Sequence, residues 1–202
     1  MSTDPNHHIE IKSQLEEWAN YDSLTSIFNR RYGEHLLDTI QKDMCNEDNS
    51  CCVLLADIDC FKTINDTHGH ALGDKVLQQV MHELSKNLRS KDTLIRWGGD
   101  EILIVLPSIK LDSALKMADR LRTVIESCKF PMIEEVTMSF GVVTWKRKEL
   151  KTSVLRRADE QLYLAKANGR NVTVYFHTQY LKLKSICSTK IIQFIHSQKI
   201  FC

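Results

Sequence analysis

Arg96-Trp97-Gly98-Gly99-Asp100-Glu101-Ile102 places two glycines and two adjacent carboxylates between the apolar runs Thr93-Leu94-Ile95 and Ile102-Leu103-Ile104-Val105-Leu106. Two short strand-like runs with Gly-Gly between them read as a β-hairpin with the glycines at its tip. Glycine turns with φ > 0 at little steric cost and lets a ligand approach backbone that a side chain would cover. Neighbouring acids at a tight turn repel one another unless positive charge lies beside them. Two explanations stay open for Gly98-Gly99-Asp100-Glu101 taken alone: a solvated turn that tolerates the repulsion, and a site whose metal ion uses it.

The 202 residues suffice for one well-cored domain and an additional segment, with the composition of an ordinary soluble globular protein. No apolar run approaches the ~20 residues of a membrane-spanning helix. Met1-Ser2-Thr3-Asp4-Pro5-Asn6 lacks the basic-then-apolar order of a secretion signal, so a cytoplasmic location is expected. Seven cysteines are scattered without metal-ligand spacing, which favours reduced thiols over a disulfide framework or a zinc site. Cys51-Cys52, inside an apolar run, read as core. A net charge of +1 gives no global electrostatic ground for binding DNA or RNA, so an anionic ligand must be met locally.

Ile11, Leu15 and Trp18 share one face of a short N-terminal helix that has the domain or a second chain to pack on. Asn29 is placed to cap a helix carrying Tyr32, Leu36, Leu37 and Ile40, followed by a polar loop over 41–50. Cys51 to Ala56 is a strand buried on both faces that ends in Asp57-Ile58-Asp59. Val76, Leu77, Val80, Met81, Leu84 and Leu88 recur at helical spacing from near Ala71 to near Ser90, and 111–128 and 151–167 repeat the pattern. Strands are expected over 136–143 and 172–176. The result is an α+β fold whose central sheet, five-stranded and mostly antiparallel, is flanked by helices. From Thr178 onward the chain is basic, with no acid from Tyr180 to Cys202; a weakly amphipathic tail, a disordered extension and a membrane-touching segment are the alternatives.

Asp57 at the end of a central strand and Asp100 at the tip of a neighbouring hairpin would face one another. Two aspartates so placed suit magnesium, which rides on one or two carboxylates, several waters and substrate phosphates. Lys62 adds a cation nearby in sequence. Lys166 and Arg170, four apart at a helix end, can share one face and one anion, although a helix C-terminus favours cations in any case. Asn65 and Asp74 can read a purine edge; beside glycines, turn or cap roles explain them equally well.

Four blocks then fit one family. They are Leu24-Thr25 with Asn29-Arg30-Arg31; Asp57-Ile58-Asp59-Cys60-Phe61-Lys62 with Ile64-Asn65-Asp66, Gly69-His70 and Gly73-Asp74; Arg96-Trp97-Gly98-Gly99-Asp100-Glu101; and Ala158-Asp159, Leu162-Tyr163, Ala165-Lys166 and Gly169-Arg170-Asn171. In this order and spacing, from about Asp22 to Phe176, the chain resembles the GGDEF domain of diguanylate cyclases. The resemblance implies a fold similar to the palm of polymerases and nucleotidyl cyclases, and the joining of two GTP into cyclic di-GMP with release of two pyrophosphates. Catalysis would need a homodimer, with one GTP on each of two facing domains. Asp57, the Ile58 carbonyl, Asp100 and Glu101 would bind Mg2+, or Mn2+ in its place. Asp100 would help deprotonate the attacking 3′-hydroxyl, and Lys62 would stabilise charge at the transferring phosphate. Asn65 and Asp74 would read guanine, and His70 would line the pocket. Lys166 with Arg170 would hold terminal phosphates, and amides near Phe61 would cradle phosphate too.

The family often carries an Arg-x-x-Asp site for inhibitory product, and Arg89-Ser90-Lys91-Asp92 stands five residues ahead of Gly98; a solvated helix end is the plain alternative. Arg120 is a candidate second contact. The implied organisation is residues 1–21 as a helical segment and dimer stalk, 22–176 as the catalytic domain and 177–202 as a basic tail. The 21 residues ahead of Asp22 are too few for the sensor that usually accompanies the family, which keeps a catalytically weak binder of GTP or cyclic di-GMP as the alternative to an active enzyme. Ile102 stands where phenylalanine is usual, a packing change alone. Trp97 and His68 replace residues more commonly Gly- or Tyr-like, and the bulk of Trp97 beside the turn is expected to bear on nucleotide access.

Overall fold

The computed structural model describes residues 20–44, 50–176 and 191–194. Its axis is β2 (Cys51–Ile58), all eight residues of which are buried, as an unbroken apolar run requires of a strand covered on both faces. Ahead of it come β1 (Phe28–Asn29) and α1 (Arg30–Asp43). After it follow α2 (Phe61–His68), α3 (His70–Lys86), β3 (Thr93–Gly98), β4 (Glu101–Pro107), α4 (Leu111–Ser127), β5 (Met138–Thr144), α5 (Lys151–Ala167), β6 (Thr173–Phe176) and β7 (Ile191–Phe194).

The strands form one sheet in the order β1-β3-β4-β2-β5-β6-β7. Its centre is antiparallel: β2 pairs with β4 and β5, and β3 with β4. Alternate residues of β2 divide the core in two. Cys52, Leu54, Ala56 and Ile58 pack with Val76, Leu77, Val80 and Met81 of α3 and Ala114, Ala118 and Leu121 of α4. Cys51, Val53 and Leu55 pack on the other face with Leu37 of α1 and Val154, Ala158 and Leu162 of α5. Burial pushes the Cys51 and Cys52 thiols up to about 12, so both are inert core side chains. A Cβ at Gly141 would run into the backbone of Ala158 and Leu162, so this glycine lets α5 lie directly on β5.

The α+β class agrees with the sequence, while the sheet is wider than the five strands expected. β1 is two residues long, below what an apolar pattern can signal, and β7 lies in the segment read as tail. Both outer additions are parallel, as is the β5–β6 pair, so the antiparallel character belongs to the centre. The polar stretch after β2, given no element from its pattern, is the helix α2, which buries only Ile64. Asn29 caps α1 as expected, its side chain accepting from the Tyr32 amide at 3.1 Å. The expected N-terminal helix over Ile11, Leu15 and Trp18, and the tail apart from 191–194, fall outside the described residues. Among the described residues no helix is long and apolar enough to cross a membrane.

Candidate active site

β2 and β4 run side by side to the same end of the sheet, where Asp57 is paired in register with Glu101, and the turn Gly99-Asp100 joins β4 to β3. Gly99 has φ of 55°, and nothing crowds the place of its missing side chain, so the turn demands glycine for backbone conformation and not for space. Asp57 is 6% exposed. Burial pushes its carboxyl up to about 6; the neighbouring charges of Asp100 and Glu101 push the same way, and the Lys166 ammonium opposes them. Lys166 Nζ stands 2.7 Å from Asp57 Oδ2, reaching from the last turn of α5. Ile58, whose carbonyl was a candidate ligand, is the last residue of β2 and is paired with Met138 of β5. Three acidic residues and one lysine therefore meet at one end of the sheet.

Asp59, to which sequence reasoning gave no role of its own, is tied to the scaffold. Its carboxylate accepts from Thr137 Oγ1 at 2.8 Å, Ser139 Oγ at 2.7 Å and the Asn171 amide at 2.9 Å, fixing the end of β2 to β5 and to the turn before β6. Asn171 accepts in turn from Arg122 Nη1 at 2.8 Å and donates to Glu126 Oε1 at 2.7 Å. Arg122 is 5% exposed and also pairs with Asp119 and Glu126 of its own helix. A buried charge needs that many partners. No motif marked Arg122; the one available signal was a charged residue amid the apolar stripe of 111–128.

Cys60, with φ of 55°, turns the chain from β2 into α2, so Lys62 leaves the sheet at the end where Asp57 lies. Lys62, His70 and Asp74 are exposed, on α2 and on α3 respectively. Gly69, with φ of 82°, bends the chain between these helices. A Cβ at Gly73 would collide with the Asn65 carboxamide, so glycine there lets Asn65 lie against α3 one residue from Asp74. The Asn65 carboxamide thus lies against the turn of α3 that also carries Asp74.

Arg170 requires a correction. α5 stops at Ala167; Gly169 has φ of 99° and Arg170 of 63°, and the Arg170 amide donates to the Ala165 carbonyl at 3.2 Å. This is a Schellman-type close, so Lys166 and Arg170 do not share a helix face. Arg170 is exposed on the turn beyond the helix that carries Lys166.

Arg96 braces the hairpin tip from behind. Its Nε donates to the Gly99 carbonyl at 3.0 Å, and its Nη1 donates to both oxygens of Asp22 at 2.9 and 3.0 Å. Burial alone would raise the Asp22 carboxyl, but hydrogen bonds from Thr25 and Arg96 outweigh it and hold it below its ordinary value. Trp97, expected to bear on nucleotide access, is 8% exposed. It rests on Gly33 of α1, and the Arg30 guanidinium lies 4.7 Å from its ring centroid. Its bulk fastens α1 to the sheet and leaves the turn clear.

At the far end of β3, Arg89 and Asp92 close on each other. Asp92 accepts from Arg89 Nη2 at 2.6 Å, from Nε at 2.9 Å and from the Arg89 amide at 2.9 Å. The pair lines a groove of about 350 Å³ together with Tyr21, Phe28, Ser85 and Leu94. Arg120 does not line that groove. Its guanidinium donates to the Asn87 carbonyl at the end of α3 and borders a separate cleft with Val124 and Cys128.

Residues 19–172 match the family model for "Diguanylate cyclase, GGDEF domain". Over 164 residues the chain is 39% identical to the response regulator PleD of Caulobacter vibrioides, covering 78% of this chain and 36% of PleD. Over 161 residues it is 35% identical to the diguanylate cyclase DgcM of Escherichia coli, covering 80% of this chain and 39% of DgcM. The chain thus spans little more than a third of the length of these relatives. Among solved structures, the coiled coil and GGDEF domain of DgcB from Caulobacter crescentus, in complex with c-di-GMP, superposes with a TM-score of 0.79 at 27% identity, covering 84% of this chain and 92% of that one.

Proposed function

The chain belongs to the diguanylate cyclase GGDEF domain family, and from that premise we propose that it condenses two GTP into cyclic di-GMP and two pyrophosphates, one GTP being held by each of two facing copies. In each half of the reaction a 3′-hydroxyl oxygen bonds to the α-phosphorus of the other GTP. The bond from that phosphorus to the β-phosphate bridge breaks, and pyrophosphate leaves. The observation that carries the proposal is the convergence of Asp57, Asp100 and Glu101 at one end of the sheet, strong enough to be felt in the Asp57 carboxyl.

The donor set fits a divalent cation. A buried carboxylate beside two further acids is all-oxygen and calls for positive charge. Among the described residues no three His, Cys, Asp or Glu side chains form a ready cage, so waters and phosphate oxygens would have to supply the remaining ligands. Asp57, Asp100, Glu101 and the Ile58 carbonyl would hold Mg2+ or Mn2+, which when bound would neutralise phosphate charge and acidify the attacking hydroxyl. Asp100, at the tip of the turn, takes the hydroxyl proton. Lys62, at the start of α2, stabilises the charge that builds on the transferring phosphate. Asn65 and Asp74, adjacent through Gly73, accept and donate at the guanine edge, and His70 lines the same pocket. Lys166, on the last turn of α5, and Arg170, on the turn beyond it, hold the terminal phosphates. The groove beside Arg89 and Asp92 takes the product, the partly exposed Arg89 guanidinium meeting a guanine edge while the buried Asp92 carboxylate holds it in place, and the bound product limits further synthesis.

Incubation of the purified chain with GTP and Mg2+, with nucleotides resolved by chromatography, is expected to yield cyclic di-GMP from the wild type and none from Asp100→Ala. Specific activity should rise with protein concentration, because two copies must meet. Absence of product across a concentration series would overturn the assignment.

A further inference from the structure

A buried carboxylate with two acids beside it needs a cation, and in this chain the cation is Lys166, whose Nζ lies 2.7 Å from Asp57 Oδ2. The ammonium reaches this place from the last turn of α5, where the helix carbonyls already favour positive charge. Its side chain is 35% exposed against 8% for that of Asp57, so the lysine can withdraw toward solvent while the aspartate cannot. We infer that Lys166 is the resident counter-ion of Asp57 and is exchanged for the divalent cation only when nucleotide arrives, so that metal and nucleotide enter as a pair.

The inference rests on the metal reading given above and concerns the order in which that site fills. A bare divalent ion bound at Asp57 competes with Lys166 for one carboxylate and is left beside the ammonium, two positive charges close together. Metal-bound nucleotide solves both problems at once: its cation satisfies Asp57, and its phosphate oxygens receive the displaced ammonium. Lys166 therefore acts twice, first as a plug against bare metal and then as a phosphate ligand. The two bindings are coupled through one side chain, and each strengthens the other by the same factor.

The test measures Mn2+ binding to the full chain by electron paramagnetic resonance of the free ion. It is run without nucleotide and with a GTP analogue whose α,β-bridging oxygen is replaced by methylene, so turnover does not enter. Lys166→Met is expected to bind bare Mn2+ about five- to tenfold more tightly than wild type, and the gain in Mn2+ affinity on adding the analogue should shrink by a similar factor. Lys166→Gln, which keeps a donor near Asp57 without the charge, should behave like Lys166→Met in direction, and circular dichroism reports whether both retain the fold. Arg170→Met removes a charge on the turn just past α5 that is no partner of Asp57 and should shift bare Mn2+ affinity by less than about twofold. Equal bare-metal affinity in wild type and Lys166→Met would overturn the exchange, as would an equal rise in Arg170→Met. Asp57→Asn separates the levels. If it leaves Mn2+ binding untouched, the metal reading falls and the exchange with it. If it abolishes binding while Lys166→Met changes nothing, the exchange alone falls.

Discussion

At one end of β3 the hairpin tip brings Asp57, Asp100 and Glu101 within reach of one another's charge, with the Lys166 ammonium in contact with Asp57. At the other end the side chain of Asp92 is wholly buried and receives three donors from Arg89, three residues earlier in the chain. Both ends are ionic, yet their energetics oppose each other. The Arg89–Asp92 pair is closed locally, so it costs little to keep and stabilises the entry into β3. The tip keeps a carboxylate whose ionisation burial and like charge resist and which the Lys166 ammonium relieves only in part. One end is thus marked by strain in its charges, the other by their mutual satisfaction.

The sharpest way to break this contrast is at the tip. Asp57→Asn is expected to lower cyclic di-GMP formation about 100-fold or more, measured as product per unit time at saturating GTP. The same change should raise stability. A carboxyl lifted from 3.8 to about 6 is bound to its proton more tightly in the folded chain, so its penalty on folding is absent below pH 3.8, grows between the two values and is complete above pH 6. The melting temperature of Asp57→Asn in metal-free buffer should therefore exceed that of wild type by a few degrees at pH 7.5, and the difference should fade as the pH drops below 4. Equal melting temperatures at pH 7.5 would remove the strain from the tip.

The opposite end gives the smaller, opposite result. Arg89→Ala strands the buried Asp92 and should cost about 2 kcal/mol in denaturant unfolding, while the rate at low product is kept and inhibition by added cyclic di-GMP is lost. If product slows both proteins equally, the groove is not the inhibitory site. Smallest is the brace behind the tip. Asp22→Asn should cost about 1 kcal/mol at pH 7, because the pair with Arg96 is half-buried. The Asp22 carboxyl is depressed in the folded chain, so its contribution is present above pH 3.8 and lost as the pH falls through the folded value; the mutant and wild type should converge in acid. A constant difference down to pH 3 would contradict the pairing.

The sequence carried the tip further than the edges. Asp57 and Asp100 could be brought together in advance because an eight-residue apolar run and a Gly-Gly hairpin leave little choice of register once they pair. β1 could not be read, since two residues have no periodicity, and α2 hid because it buries Ile64 alone. The Lys166–Asp57 contact joins residues 109 positions apart, and spacing says nothing of such pairs. Arg170 is a different case: Asn168-Gly169 already announced the end of α5, and a residue past that stop cannot share the helix face. Arg120 was placed on the right helix, but spacing could not show toward which cleft it leans.

Asp59 holds the end of β2 through Thr137, Ser139 and Asn171, partners that lie 78, 80 and 112 residues further along. β4 and β5, which flank β2, are also later in the chain. During synthesis the first acid of the site thus leaves the ribosome long before the residues that fix its position. Asp57 and Asp100 are both made before Asn171, so β2 can pair with β4 while the last tie on Asp59 is still to come.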